Sequence, residues 1–108
     1  MNIEIRTHNL EVSDFVRSHV ERRLGFALAR FGNRTDRVLV RLSDVNGPHR
    51  GGIDKRCQIE VGVRPAANVR VEDTDADWMT SVDRAADRAS RAVARLIVCT
   101  RFVRMAAR

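Results

Sequence analysis

Between residues 37 and 73 the sequence alternates apolar and polar side chains in three separate runs, and this leaves few folds open. RVLVRLSD (37–44) puts Val38, Val40 and Leu42 on one face. KRCQIEVGV (55–63) puts Cys57, Ile59, Val61 and Val63 on one face, with Arg56, Gln58, Glu60 and Gly62 on the other. VRVED (69–73) turns Val69 and Val71 inward. A period of two marks a half-buried strand, so each run predicts a strand that offers one face to a core. A further run opens the chain, where MNIEIRT sets Ile3 and Ile5 against Asn2, Glu4 and Arg6. Pro65 turns the chain after the 55–63 run, because proline has no N–H to continue a ladder.

Two other stretches repeat at helical spacing. Ser13 offers an N-cap and Asp14 an acid in the first turn, both of which favour a helix start. Val16, Val20, Leu24, Ala27, Leu28 and Phe31 then predict a helix to about Phe31, with Gly32 and Asn33 as stop residues. Gly25 inside it either admits a neighbouring backbone or is tolerated at about 1 kcal/mol relative to Ala. The second helix is predicted from Asp75 or Asp77 to near Thr100, with Met79, Val82, Ala86, Ala89, Val93, Leu96 and Ile97 as its apolar stripe. The acids of EDTDAD (72–77) are expected to crowd its positive end, with arginines filling its other half. The order strand, helix, strand, strand, strand, helix predicts an α+β sandwich of two layers, a four-stranded sheet with both helices on one face. Residues 1–100 are expected to form this single domain, and 101–108 a basic tail that need not be ordered.

Charge narrows the function classes. The 108 residues carry 20 Lys+Arg against 14 Asp+Glu, a net charge of +6, and Lys55 is the sole lysine. Arginine pairs bidentately with phosphate, so an arginine-rich surface suits nucleic acid. The plain alternative is a surface that merely solubilises the domain, in a genome whose codons favour arginine. Placement argues for the former, since Arg84 to Arg108 holds seven arginines and one acid, Asp87. No apolar run reaches the roughly 18 residues of a membrane span. The polar start MNIEIRTHN lacks the apolar centre of a secretion signal, which points to the cytosol. Cys57 and Cys99 suit that compartment as free thiols.

On the second helix Arg84, Arg88, Arg91 and Arg95 recur at spacings of four, three and four and so share one face. At roughly 1.5 Å per residue they make a guanidinium column about 16 Å long, able to meet several phosphates with salt-dependent affinity. One interleaved acid, Asp87, leaves most of that column unbalanced. The first helix adds Arg17, Arg22, Arg23 and Arg30, with Glu21 among them. If the helices pack side by side, their outer faces are expected to merge into a basic groove. With no Tyr, one Trp and four Phe, backbone or shape recognition is expected rather than base stacking.

VNGPHRGGIDKR (45–56) lies between two predicted strands. Gly47, Gly51 and Gly52 allow close approach to phosphate, and Arg50, Lys55 and Arg56 supply charge. An accessory RNA contact at a hairpin tip is expected, against a flexible turn as the plain alternative. The stretch lacks the spacing of a nucleotide-binding loop and opens no helix. Asp44, His49, Asp54 and Cys57 match no zinc spacing, and Cys57 falls on the inward face. No metal, cofactor or catalytic residue is expected. His8 and His19 fit surface or helix-flank positions, and Trp78 a partly buried helix start.

DWMTSVDRAADRASRAVARL (77–96) resembles the closing helix of the ribosome hibernation promoting factor family, also called ribosome-associated inhibitor or sigma-54 modulation proteins. Asp77, Val82, Asp83, Asp87, Arg88, Arg91 and Val93 fall in its register. VSDFVRSHVERRLGFALARF (12–31) resembles the family's first helix at Ser13, Val20, Glu21, Arg23, Leu24 and Phe31. The resemblance covers residues 1 to about 98. It implies a β-α-β-β-β-α fold similar to double-stranded RNA-binding domains. It also implies docking in the small ribosomal subunit, where the family fills the mRNA and tRNA channel and silences idle ribosomes. The family's basic helix positions match Arg23, Arg88, Arg91 and Arg95. Met79 stands where the family usually has Tyr, Phe26 where it often has a basic residue, and the 45–56 loop is longer than the usual hairpin. The chain resembles the short form, without the added dimerisation domain.

The expected contacts are therefore Arg23, Arg30, Arg84, Arg88, Arg91 and Arg95 on the helices, with Arg50, Lys55 and Arg56 at the loop. The expected partner is the small ribosomal subunit and its rRNA, met by steric occlusion without a chemical step. A regulatory or protein-interaction module of the same fold that has left the ribosome is the alternative. A small hydrolase using the loop is a third.

Overall fold

The structure, a computed structural model, describes residues 2–8, 12–44, 55–64 and 67–106, with side chains described as far as Val98. The chain forms β1 (Asn2–His8), α1 (Asp14–Leu28), a 3-10 segment (Ala29–Arg34), β2 (Thr35–Asp44), β3 (Lys55–Val63), β4 (Ala67–Asp75) and α2 (Trp78–Ala106). The order and the α+β class are those the periodicities predict.

The four strands form one sheet in the order β1-β2-β3-β4. β1 runs parallel to β2, and the other neighbours are antiparallel. A parallel pair cannot be closed by a tight turn, and α1 supplies the crossover. The register aligns Ile5, Val40, Ile59 and Val71 in one inward row across all four strands. Both helices cover that face. Val20, Leu24 and Leu28 of α1 and Val82, Ala89 and Val93 of α2 join the strand residues in one buried core. Ala85, Ala86 and Ala89 let α2 lie close to the sheet.

Local signals act as expected at both ends of α1. Ser13 caps it, its Oγ accepting from the Val16 N–H at 3.3 Å. Gly32 takes φ 54°, a left-handed conformation that glycine adopts without a side-chain clash, and the chain turns there into β2. Gly25 has nothing within 4 Å of where a Cβ would sit, so no backbone approaches it and it is simply tolerated.

Two differences from expectation shape the site. First, β4 continues through Asp75, so Glu72, Asp73 and Asp75 belong to a strand. Asp77 is the acid that caps α2, accepting from the Thr80 backbone N–H at 3.2 Å and from its hydroxyl at 3.0 Å. Second, α2 runs past Thr100 to Ala106, because neither glycine nor proline interrupts residues 78–106. At roughly 1.5 Å per residue it is about 43 Å long, against about 30 Å for strands of this length, so its C-terminal end outruns the sheet. Val98 is accordingly exposed.

Candidate nucleic-acid interface

Arg84, Arg88, Arg91 and Arg95 are all exposed on the side of α2 that faces β4, but the column is divided. Arg84 Nε lies 3.5 Å from Asp73 Oδ1, and Arg84 also pairs with Asp75. Arg88 Nε lies 3.2 Å from Asp73 Oδ2. Asp73 shares the inward parity of Val69 and Val71, and its side chain is only 6% exposed. A carboxylate drawn from water in this way needs charged or hydrogen-bonded partners, and the two guanidinium groups supply them. Further along, Arg91 Nε reaches only the backbone oxygen of Asp87, at 3.4 Å. Arg95 has no ion pair or hydrogen bond among the described residues. Arg88, Arg91 and Arg95 line a groove of ≈ 530 Å³ between α2 and β4, together with Arg70 and Glu72.

The two helices do lie side by side, but their seam is not the open basic groove expected. Asp83 and Asp87 of α2 fill it. Asp83 Oδ1 sits 2.7 Å from His19 Nε2 and 3.3 Å from Arg23 Nε. Asp87 Oδ1 accepts from Arg23 Nη2 at 2.8 Å. Asp87, the one acid interleaved in the arginine column, thus turns its carboxylate to Arg23 of α1. Arg30 turns into the same seam, donating to Ser90 Oγ at 3.0 Å, with its guanidinium 4.7 Å from the Phe31 ring centre. Arg17 and Arg22 are the exposed arginines of α1 without an ion pair among the described residues.

The hairpin supplies a third location. Lys55 Nζ lies 3.0 Å from Asp44 Oδ2 and joins the two strands at its base. Arg56 points to the open face of the sheet. Arg50 lies outside the described residues, so the expected loop-tip contact has no geometry here. The nine expected contact residues are thus not one wall. Arg84 to Arg95 form one face, Arg23 and Arg30 are absorbed in the helix seam, and Lys55 and Arg56 stand at the hairpin base. Arg70 and Asp73 were missed. The signal for Asp73 was its inward parity with Val69 and Val71, since an acid at a core position implies a basic partner nearby.

Cys57 is fully buried. Desolvation, and secondarily the Asp73 carboxylate opposite it on β4, push its thiol from 9.0 up to about 12. Such a thiol is protonated at neutral pH and is no nucleophile. Among the described residues no group of three His, Cys, Asp or Glu side chains could hold a metal ion. No helix there is long and apolar enough to cross a membrane.

Two helices on one face of a mixed four-stranded sheet, the longer helix carrying an arginine column, define an α+β sandwich of β-α-β-β-β-α type. The chain belongs to the sigma 54 modulation protein / S30EA ribosomal protein family, whose model matches residues 3–97. It is 34% identical over 80 residues to the chloroplastic ribosome-binding factor PSRP1 of Spinacia oleracea, an alignment spanning 73% of this chain and 26% of that protein. The N-terminal domain of Protein Y from Thermus thermophilus superposes with a TM-score of 0.71 at 34% identity, over 89% of this chain and 99% of that one. A ribosomal subunit interface protein from Coxiella burnetii shares the fold, with a TM-score of 0.76 at 13% identity over 91% of this chain and 99% of that one.

Proposed function

We propose that this domain binds the small ribosomal subunit through rRNA phosphates and inhibits translation by occupying the mRNA and tRNA channel, as a hibernation factor acting in the cytoplasm. Family membership supports the ribosome as partner. The observation that carries the mode of binding is the unneutralised half of the α2 column, Arg91 and Arg95, beside Arg70 and Arg88 in one groove. Guanidinium groups without carboxylate partners are free to exchange counterions for phosphates. The binding unit proposed is residues 1–100, with the basic residues of 101–108 extending the charge. Binding itself blocks the channel, and no chemical step is proposed.

Co-sedimentation with small subunits at low and high salt tests this. Arg91→Glu/Arg95→Glu is expected to move the protein from pellet to supernatant at low salt, at least a tenfold loss of affinity for two reversed contacts. Equal pelleting of variant and wild type would reject the proposed binding face.

A protein-interaction module is favoured by one observation. Phe15 and Phe26 on α1 are 70% and 80% exposed. Eleven residues apart, they lie within about 20° of each other around the helix. Retention of ribosome binding in Phe15→Ala/Phe26→Ala, with loss of a co-purifying protein, would support that role.

A further inference from the structure

We propose that the open face of the sheet holds a second site for the RNA phosphodiester backbone, where β1, β2 and β3 meet the hairpin, separate from the α2 column. It rests on the reading of the domain as an RNA binder but uses residues that reading does not need. Because both helices cover one face, the outward residues of every strand remain open. Arg6 stands directly opposite Arg41 across the parallel pair, and Arg56 follows at the next outward level, opposite Ser43. Together with His8, Ser43 and Gln58 they line a groove of ≈ 420 Å³ that no carboxylate lines among the described residues.

The three arginines are unequally satisfied. Arg6 Nε lies 2.8 Å from Glu4. Arg41 is exposed and has no ion pair or hydrogen bond among the described residues. Arg56 Nε is shielded from solvent without a hydrogen-bond partner, and its nearest carboxylate oxygen, on Glu72, is 4.0 Å away. A shielded N–H on a charged group calls for an acceptor. Like charges directly opposite each other also weaken a strand pair. An anion in the groove offsets the Arg6–Arg41 opposition directly, and meets Arg56 through the rest of its guanidinium, since its Nε is shielded.

The chemistry selects phosphate. A guanidinium takes two oxygens of an anion. A phosphodiester is one unit of a repeating chain, so neighbouring strands about 5 Å apart can hold successive contacts on one polymer. Among the described residues the face offers no Phe, Tyr or Trp for stacking, so the backbone is the recognised part.

Fluorescence anisotropy with a short labelled oligouridylate tests the site in the full chain. Arg6→Gln/Arg41→Gln/Arg56→Gln is expected to bind about tenfold more weakly at low salt. Its log–log salt slope should fall by about 2, at roughly 0.7 per lost contact on a single strand. The loss should be seen in full in the Arg91→Gln/Arg95→Gln background, where the open face is the proposed site left to bind. The triple variant should unfold at the wild-type temperature or above, since it relieves the Arg6–Arg41 opposition. Arg41→Gln alone, at an exposed residue with no partner, should cost about threefold and keeps the test valid if the triple variant misfolds. Wild-type affinity and slope in the triple variant would overturn the site. So would tighter binding of polyglutamate to the same groove, which would assign it to an acidic protein segment. Wild type that pellets with small subunits but ignores oligouridylate overturns the site and leaves the ribosomal role standing. The reverse pattern leaves the site and removes the role.

Discussion

Arg84 and Arg88 reach down from α2 to carboxylates on β4, whereas Arg91 and Arg95, on the same face and with the same chemistry, pair with none, although Glu72 lines the groove beside them. The cause lies in how the chain doubles back. α2 begins just after β4 ends, so its first turns lie over Asp73 and Asp75 and its later turns run beside Glu72, Val71 and Arg70. One half of the column is held by internal ion pairs, and the other half faces solvent. A charge column on a helix is thus not one functional unit. The strand beneath decides which part holds the fold and which part meets a partner.

The largest expected effect separates the two halves directly. Arg91→Gln/Arg95→Gln should weaken binding to small subunits by about tenfold at low salt and lower the salt slope by roughly 1.5. Arg84→Gln/Arg88→Gln should leave the slope nearly unchanged, because those groups already have counter-charges, and should lower unfolding stability instead. Binding isotherms across a salt series, with urea unfolding of the same proteins, read both quantities. Equal slopes for the two variants would break the division.

A smaller effect sharpens it from the carboxylate side. Asp73→Asn keeps the shape but removes the charge that Arg84 and Arg88 share. Because both arginines are exposed and can be solvated, the stability cost is expected to be about 1 kcal/mol rather than that of a fully buried pair. Low-salt RNA affinity should rise about twofold to threefold, since Arg88 is released while Arg84 keeps its pair with Asp75. A fall in affinity would show instead that Asp73 positions these arginines for binding.

Much of the fold was legible because period two and period 3.6 leave different traces. The inward sets Val38/Val40/Leu42 and Cys57/Ile59/Val61/Val63 were read from alternation alone and are buried as expected. The parallel partner of β1 was not legible, since edge pairing depends on how the α1 crossover packs. The arginine column was legible as a face, but its neutralisation was not. A linear count of charges sees Asp87 beside Arg91 and cannot see Arg23 arriving from α1, or Asp73 from β4. The open-face cluster of Arg6, Arg41 and Arg56 was also hidden, because its members are brought together by cross-strand register rather than by spacing in one segment.

The smallest effect lies on the other side of Asp73, where Cys57 faces it across the β3–β4 pair. The folded thiol ionises near 12 and the unfolded one near 9.0. Below the lower value both states keep the proton and stability does not depend on this group. Above it the unfolded state sheds the proton first, so stability falls as pH rises toward the folded value. From about pH 8.5 to about pH 9.5 the expected loss is about 0.7 kcal/mol, measured by urea unfolding. Cys57→Ala should abolish that slope, which separates it from any other alkaline titration. In Asp73→Asn the carboxylate that helps hold the thiol protonated is gone, so the decline should level off at a lower pH. An alkaline slope unchanged by Cys57→Ala would mean that the core beneath Asp73 admits water. The held half of the column would then be no better protected than the free half.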